Sequence, residues 1–205
     1  MKHKTCLRII ALLSVFFLSP AGASASTGQT SVALVENFHR ALLSSMKAAA
    51  DTSVKQRFEA LKPIVGKSFH PGLMIQVASG SYWRKASDTQ HEALTAAFSK
   101  LSAATYAAQF DGYSGQSFVT LDHKPGPQKT ILVDTEIINP GGGNVALTYV
   151  TRKIQNQWRI IDVLVDTGIS ELARKRSEYH GVLKSKGIDG LIKLLNTKSS
   201  SLLAN

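Results

Sequence analysis

The chain has 205 residues, a formal net charge of +10, 43% hydrophobic residues and a single cysteine. That length suits one domain with a sizeable core, and one cysteine excludes an internal disulfide or a Cys-built metal site. A basic balance raises nucleic acid as a partner, but the leader read below turns the expectation toward anionic lipid surfaces or an acidic protein, with no nucleic acid.

Residues 1–25 read as an address. Lys2, Lys4 and Arg8 precede the apolar run from Ile9 to Leu18, and Pro20 leads to the small residues Ala23, Ser24 and Ala25. This is the pattern of a cleavable secretory signal peptide, with an apolar core too short to span a bilayer. Cys6 lies ahead of that core, so residues 26–205 contain no cysteine and carry a formal charge of +7. The expected location is the periplasm. No later apolar run reaches the ~18 residues that a membrane span requires.

From Ser31 to Ala104 the apolar period is helical. Leu34, Phe38, Ala41, Leu42 and Met46 form one stripe, and Val54, Phe58 and Leu61 form another that is expected to end near Pro63. Pro71 to Ala78 is almost wholly apolar and reads as a short buried helix carrying Met74. Ser87 followed three residues later by Gln90 is a capping-box signature, and the helix it opens buries Leu94, Ala97, Phe98 and Leu101.

From Thr105 the period changes to two. Strands are expected over Tyr106–Phe110, Ser117–Asp122, Lys129–Ile138, Val145–Ile154 and Gln157–Asp166, joined by short turns rich in Gly, Pro and Asn. Links this short make antiparallel neighbours and leave no room for crossover helices. Beyond Thr167 and Gly168 a basic helix starts at Ser170 and stops at Gly187. A last short helix opens at Asp189, and residues 199–205 are expected to fray. The fold class is α+β: one domain, 26–205, with a curved antiparallel sheet of four to five strands wrapped by N- and C-terminal helices around an apolar cavity.

Alternation places Val133, Val145, Leu147, Tyr149, Ile161, Val163 and Val165 on one sheet face, and Asp134, Glu136, Arg152, Arg159 and Asp162 on the other. A β-branched apolar face of this kind either packs as a core or lines a hollow. Its chemistry is sparse. His39, His70, His91, His123 and His180 show no metal-ligand spacing, and solvated or helix-surface positions are expected for them. The carboxylates are expected to face solvent and pair with Arg152, Lys153 or Arg159. Ser170 lacks a nucleophile-elbow context and suits an N-cap, while Gly141, Gly142 and Gly143 form a hairpin tip with no phosphate-binding Lys after it. Cations crowd the last third: Arg174, Lys175, Arg176, Lys184, Lys186, Lys193 and Lys198.

The run Gly80-x-Tyr82-Trp83-x-x-Ala86-Ser87, the segment Trp158 to Gly168, and the series Ile169-Ser-Glu-Leu-Ala, Arg176-Ser-Glu-Tyr179 and Lys186-Gly-Ile-Asp-Gly-Leu191 resemble the MlaC-type periplasmic lipid carriers, also called toluene tolerance auxiliary proteins. Within them the chain looks most like the hopanoid-linked HpnM branch. The resemblance implies a non-enzymatic carrier without cofactors. It would hold acyl chains of a glycerophospholipid or a hopanoid, between an inner-membrane MCE-domain or RND-type transporter and an outer-membrane lipid-transfer complex. It also implies pocket-lining positions at Val145, near the glycine hairpin, and Ile169, at the strand-to-helix exit. Alternation and packing extend that lining to Val133, Leu147, Tyr149, Val163, Leu172, Phe110 and Met74, with Arg174 and Arg176 as headgroup or partner contacts. Two other classes stay open: a small isomerase- or hydratase-type enzyme on a similar fold, and an exporter adaptor that binds no lipid. An Asp or His facing the interior would favour the enzyme.

Overall fold

The computed structural model describes residues 23–166 and 168–204, with side chains from residue 30 onward. The leader expected over residues 1–25 therefore lies, apart from its last three residues, outside the described residues. Helices α1 (Ala23–Lys47), α2 (Val54–Ser68), α3 (Pro71–Ser79) and α4 (Asp88–Gln109) come first. Strands β1 (Ser117–Pro125), β2 (Thr130–Ile138), β3 (Val145–Ile154), β4 (Gln157–Val165) and β5 (Ile169–Ser170) follow, and α5 (Glu171–Leu203) closes the chain. The sheet order is β1-β2-β3-β4-β5, antiparallel throughout. The architecture is the expected α+β, with five strands.

Local chemistry explains most boundaries. Ser53 and Ser87 each accept from the backbone N–H three residues on, while Gln56 and Gln90 reach back to the cap N–H, so α2 and α4 both open on complete capping boxes. Pro71 occupies the first turn of α3, where a missing N–H costs nothing. Gln155 and Asn156 both take positive φ, which makes the two-residue β3–β4 turn of the primed kind that suits strand twist.

Several expectations need correcting. The α2 helix runs through Pro63 to Ser68, because the proline is exposed and Val65 and Phe69 beyond it are buried. The segment Tyr106–Phe110 is the last turn of α4 and its cap, since Ala103, Ala104 and Ala107 continue the buried stripe at helical spacing. In β4 the register slips between Val150 and Thr151 of its partner, leaving Ile161 as a bulge, so fully buried Ile160 faces inward in its place. The first strand runs past its expected end at Asp122 to Pro125 and so takes in His123. The tail is helical through Leu203, with Ser199 buried and bonded to the Leu195 carbonyl at 2.8 Å, where fraying was expected.

The last helix is broken at Gly187 (φ 62°, ψ −160°), a backbone conformation that glycine adopts without strain. Glu178 and Lys198 are joined by an ion pair. Twenty residues of straight helix would hold them ~30 Å apart, so the chain doubles back at this corner. The return is tight: a Cβ at Gly190 would collide with that of Lys186.

Candidate functional site

The α1 helix lies across the sheet face that carries Val133, Tyr149 and Val163, while α2, α3 and α5 flank β4. Those three residues sit in one row, Val133 opposite Tyr149 and Tyr149 opposite Val163. The next row is Thr135, Leu147 and Val165, and Val165 in turn faces Ile169. Ile137 and Val145 pair at the glycine-hairpin end. Exposure rises along this strip: Val133 is 0% and Tyr149 2% exposed, Val145 and Leu147 are half-buried, and Ile169 is 59% exposed. An apolar surface thus starts in the core and emerges where β5 passes into α5.

Of the other expected lining residues, Leu172 is buried in the first turn of α5, and Phe110 caps α4 with its ring 6.2 Å from that of Phe118. Met74 is buried in α3. The space between sheet and helices is occupied by a ring cluster that periodicity did not reveal. Phe38 stands edge-on to Phe69, Tyr106 and Tyr149, with centroids 5.1, 5.0 and 6.3 Å away. Tyr106 leads on to Phe110, and Phe110 to Phe118. Reading Tyr106–Phe110 as a strand hid two of these rings.

His39 is buried within the cluster, contrary to its expected helix-surface position. Its Nε2 lies 3.0 Å from the Tyr149 hydroxyl and its ring stacks on Phe118 at 4.4 Å. Burial drives the imidazole pKa down to about 4 and pushes the Tyr149 phenol well above its usual range. At neutral pH the pair is therefore uncharged. A second buried bond, Ser31 to Thr151, ties the same helix to β3.

The carboxylates also find partners other than those expected. Asp134 binds Lys124 at 2.7 Å and accepts from Thr148 at 2.6 Å. Asp162 accepts from the Ser170 hydroxyl at 2.6 Å and the Leu172 N–H at 3.1 Å, while Ser170 caps α5 as anticipated. Arg159 donates to the Lys67 carbonyl and Arg152 to Gln128. Arg174 forms two bonds to Glu171 and lies 4.0 Å from Glu178, and Arg176 rests against Gly80. Among the described residues no cluster of three metal-ligating side chains occurs.

The model of the MlaC protein family matches residues 36–197. The chain belongs to the MlaC family. It is 27% identical over 166 residues, 77% of each protein, to the intermembrane phospholipid transport system binding protein MlaC of Haemophilus influenzae. A phospholipid-binding protein from Ralstonia solanacearum, solved in complex with a phospholipid, superposes with a TM-score of 0.71 at 19% identity. That match covers 85% of this chain and 97% of the other, and it establishes the shared fold. In this MlaC-family chain, no described helix is long and apolar enough to cross a membrane.

Proposed function

We propose that this chain is a periplasmic lipid carrier. It would take the acyl chains of a glycerophospholipid, or of a hopanoid as in the HpnM branch, along the apolar strip that ends at Ile169. The observation that carries the proposal is the continuity of that strip, from the buried Tyr149 row through Leu147 and Val165 to the exposed Ile169. The phospholipid-transport relative and the lipid-bound fold neighbour agree with it.

The physical task is clear. One acyl chain of ~15 methylenes costs roughly 12 kcal/mol to expose to water, and two chains about double that. A protein that keeps the tails dry removes most of this barrier without any covalent chemistry. The aromatic cluster fills the interior, so admitting tails requires α1 or the first turn of α5 to move off the sheet. The polar seam of His39–Tyr149 and Ser31–Thr151 resists the first of these movements. Arg174 stands five residues beyond Ile169, where a phosphate could compete with Glu171 for its guanidinium. The partners on this reading are an inner-membrane MCE-domain or RND-type transporter and an outer-membrane complex.

The test is lipid mass spectrometry of the chain purified from its own organism, with Val145→Glu and Ile169→Glu beside the wild type. Wild type should carry stoichiometric lipid and both variants should lose it while melting normally. Lipid retained in both would place the pocket elsewhere, and lipid-free wild type would favour the adaptor reading. The headgroup masses would separate phospholipid from hopanoid.

A further inference from the structure

A cleft of about 890 Å³ opens at the other end of β3, between that strand and the starts of α3 and α4. Its walls are mainly apolar, with Leu73, Trp83, Ala96 and Ile154 among them. Arg152 stands seven residues from Val145 along β3, ~23 Å at the usual strand rise, so this cleft is separate from the strip described above. The volume lies within the range of ordinary small-ligand pockets.

Two hydrogen-bond donors on its lining lack acceptors. The Arg152 Nε is buried without a partner, although the same guanidinium reaches Gln128 through Nη2 at 3.1 Å. His70 accepts the Leu73 N–H on Nδ1 at 3.0 Å, which leaves the ring proton on Nε2, for which no acceptor occurs among the described residues. Of the two, only the Arg152 Nε is buried; the His70 Nε2–H is open on the lining, and beside the Arg152 guanidinium it suits an anionic acceptor. Arg152 is the one cation on the lining and Glu92 the one acid. Glu92 follows His91, which stacks on Trp83 at 4.0 Å, so negative charge already stands on the Trp83 side. A second, smaller cleft of about 320 Å³ shares His70, Pro71 and Ile154 and prolongs the trough toward Arg159.

We propose that this trough is a second binding site, for a free single-chain anionic lipid such as a fatty acid. The alkyl chain would lie along Leu73, Trp83 and Ile154. The carboxylate would accept from the terminal N–H groups of the Arg152 guanidinium and from His70 Nε2–H, kept from the Trp83 side by Glu92. One chain and one anionic head match the larger cleft, whose lining carries one cation, Arg152.

Trp83 makes the site observable. The chain has two tryptophans, and Trp158→Phe leaves Trp83 as the sole emitter. Dibrominated stearate, added to delipidated protein carrying that change, should quench the emission saturably. Its methyl ester should bind at least tenfold more weakly, and Arg152→Met should cost the acid a similar factor. Ala96→Phe, which fills the trough from the α4 wall without touching Arg152, should abolish quenching. Val145→Glu should leave it unchanged, and that arm separates this site from the carrier strip. Equal quenching by acid and ester, an unaffected Arg152→Met, or loss in Val145→Glu would each overturn the proposal. So would quenching seen only from vesicles of dibrominated phosphatidylglycerol, which would mean a membrane lipid occupies the trough.

Discussion

Acidification should loosen this protein through His39. The folded imidazole has a pKa of about 4 because burial excludes its charged form. An unfolded histidine titrates near 6.5. Between these values the unfolded chain binds more protons than the folded one, so stability falls as pH falls, and above 6.5 the group contributes almost no pH dependence. Integrating the one-site difference from pH 7 to 4.5 gives a loss of about 2 kcal/mol from this residue alone. For a domain of this size that corresponds to roughly 4–8 °C in Tm. The control is His39→Gln, whose amide still reaches the Tyr149 hydroxyl but does not titrate. Urea unfolding of both proteins at pH 7 and 4.5 cancels the carboxylates, Asp134 and Glu171 among them, which are common to the pair. The wild type should lose about 2 kcal/mol more than His39→Gln. Parallel losses would refute the idea that the fold holds this imidazole neutral.

Two further outcomes follow from single groups. The Tyr179 hydroxyl is buried without a partner, so Tyr179→Phe should raise stability by about 1 kcal/mol in a thermal or urea melt; a loss of that size would reveal a partner for the hydroxyl. Asp162→Ala removes the acceptor of Ser170 and Leu172, and should cost about 2 kcal/mol while speeding amide exchange at Leu172. Unchanged exchange would show that α5 is anchored by packing alone.

The strands and the capped helices could be read from residues 31–166 because their signals are local. The Ser87–Gln90 box, the Gln155–Asn156 turn and the period-two runs each rest on a few neighbouring residues. What escaped reading depended on contacts far apart in the chain. His39 looked like a surface residue on an amphipathic helix until Tyr149, 110 positions away, supplied its hydrogen bond. Tyr106 to Phe110 alternates like a strand, yet the alanines before it extend a helix whose face is chosen by Phe38 and Phe69. The bulge at Ile161 shifted which isoleucine meets the core, and alternation carries no mark of a bulge. Val133, Tyr149 and Val163 do form one row; the β2–β3 hairpin sets the first pairing, but the second depends on the bulge, one residue off the register that the Gln155–Asn156 turn alone would give.

The sheet is a meander in which every strand lies beside its neighbour in sequence, so it can assemble from consecutive hairpins with little loop-closure cost. The first helix is different: Ser31 waits for Thr151, and His39 for Tyr149. As the chain emerges N-terminus first, that amphipathic segment meets α2 early but stays without its sheet partners until most of the polypeptide has followed. Self-association through Phe38 and Leu42 is the hazard that this order of synthesis brings.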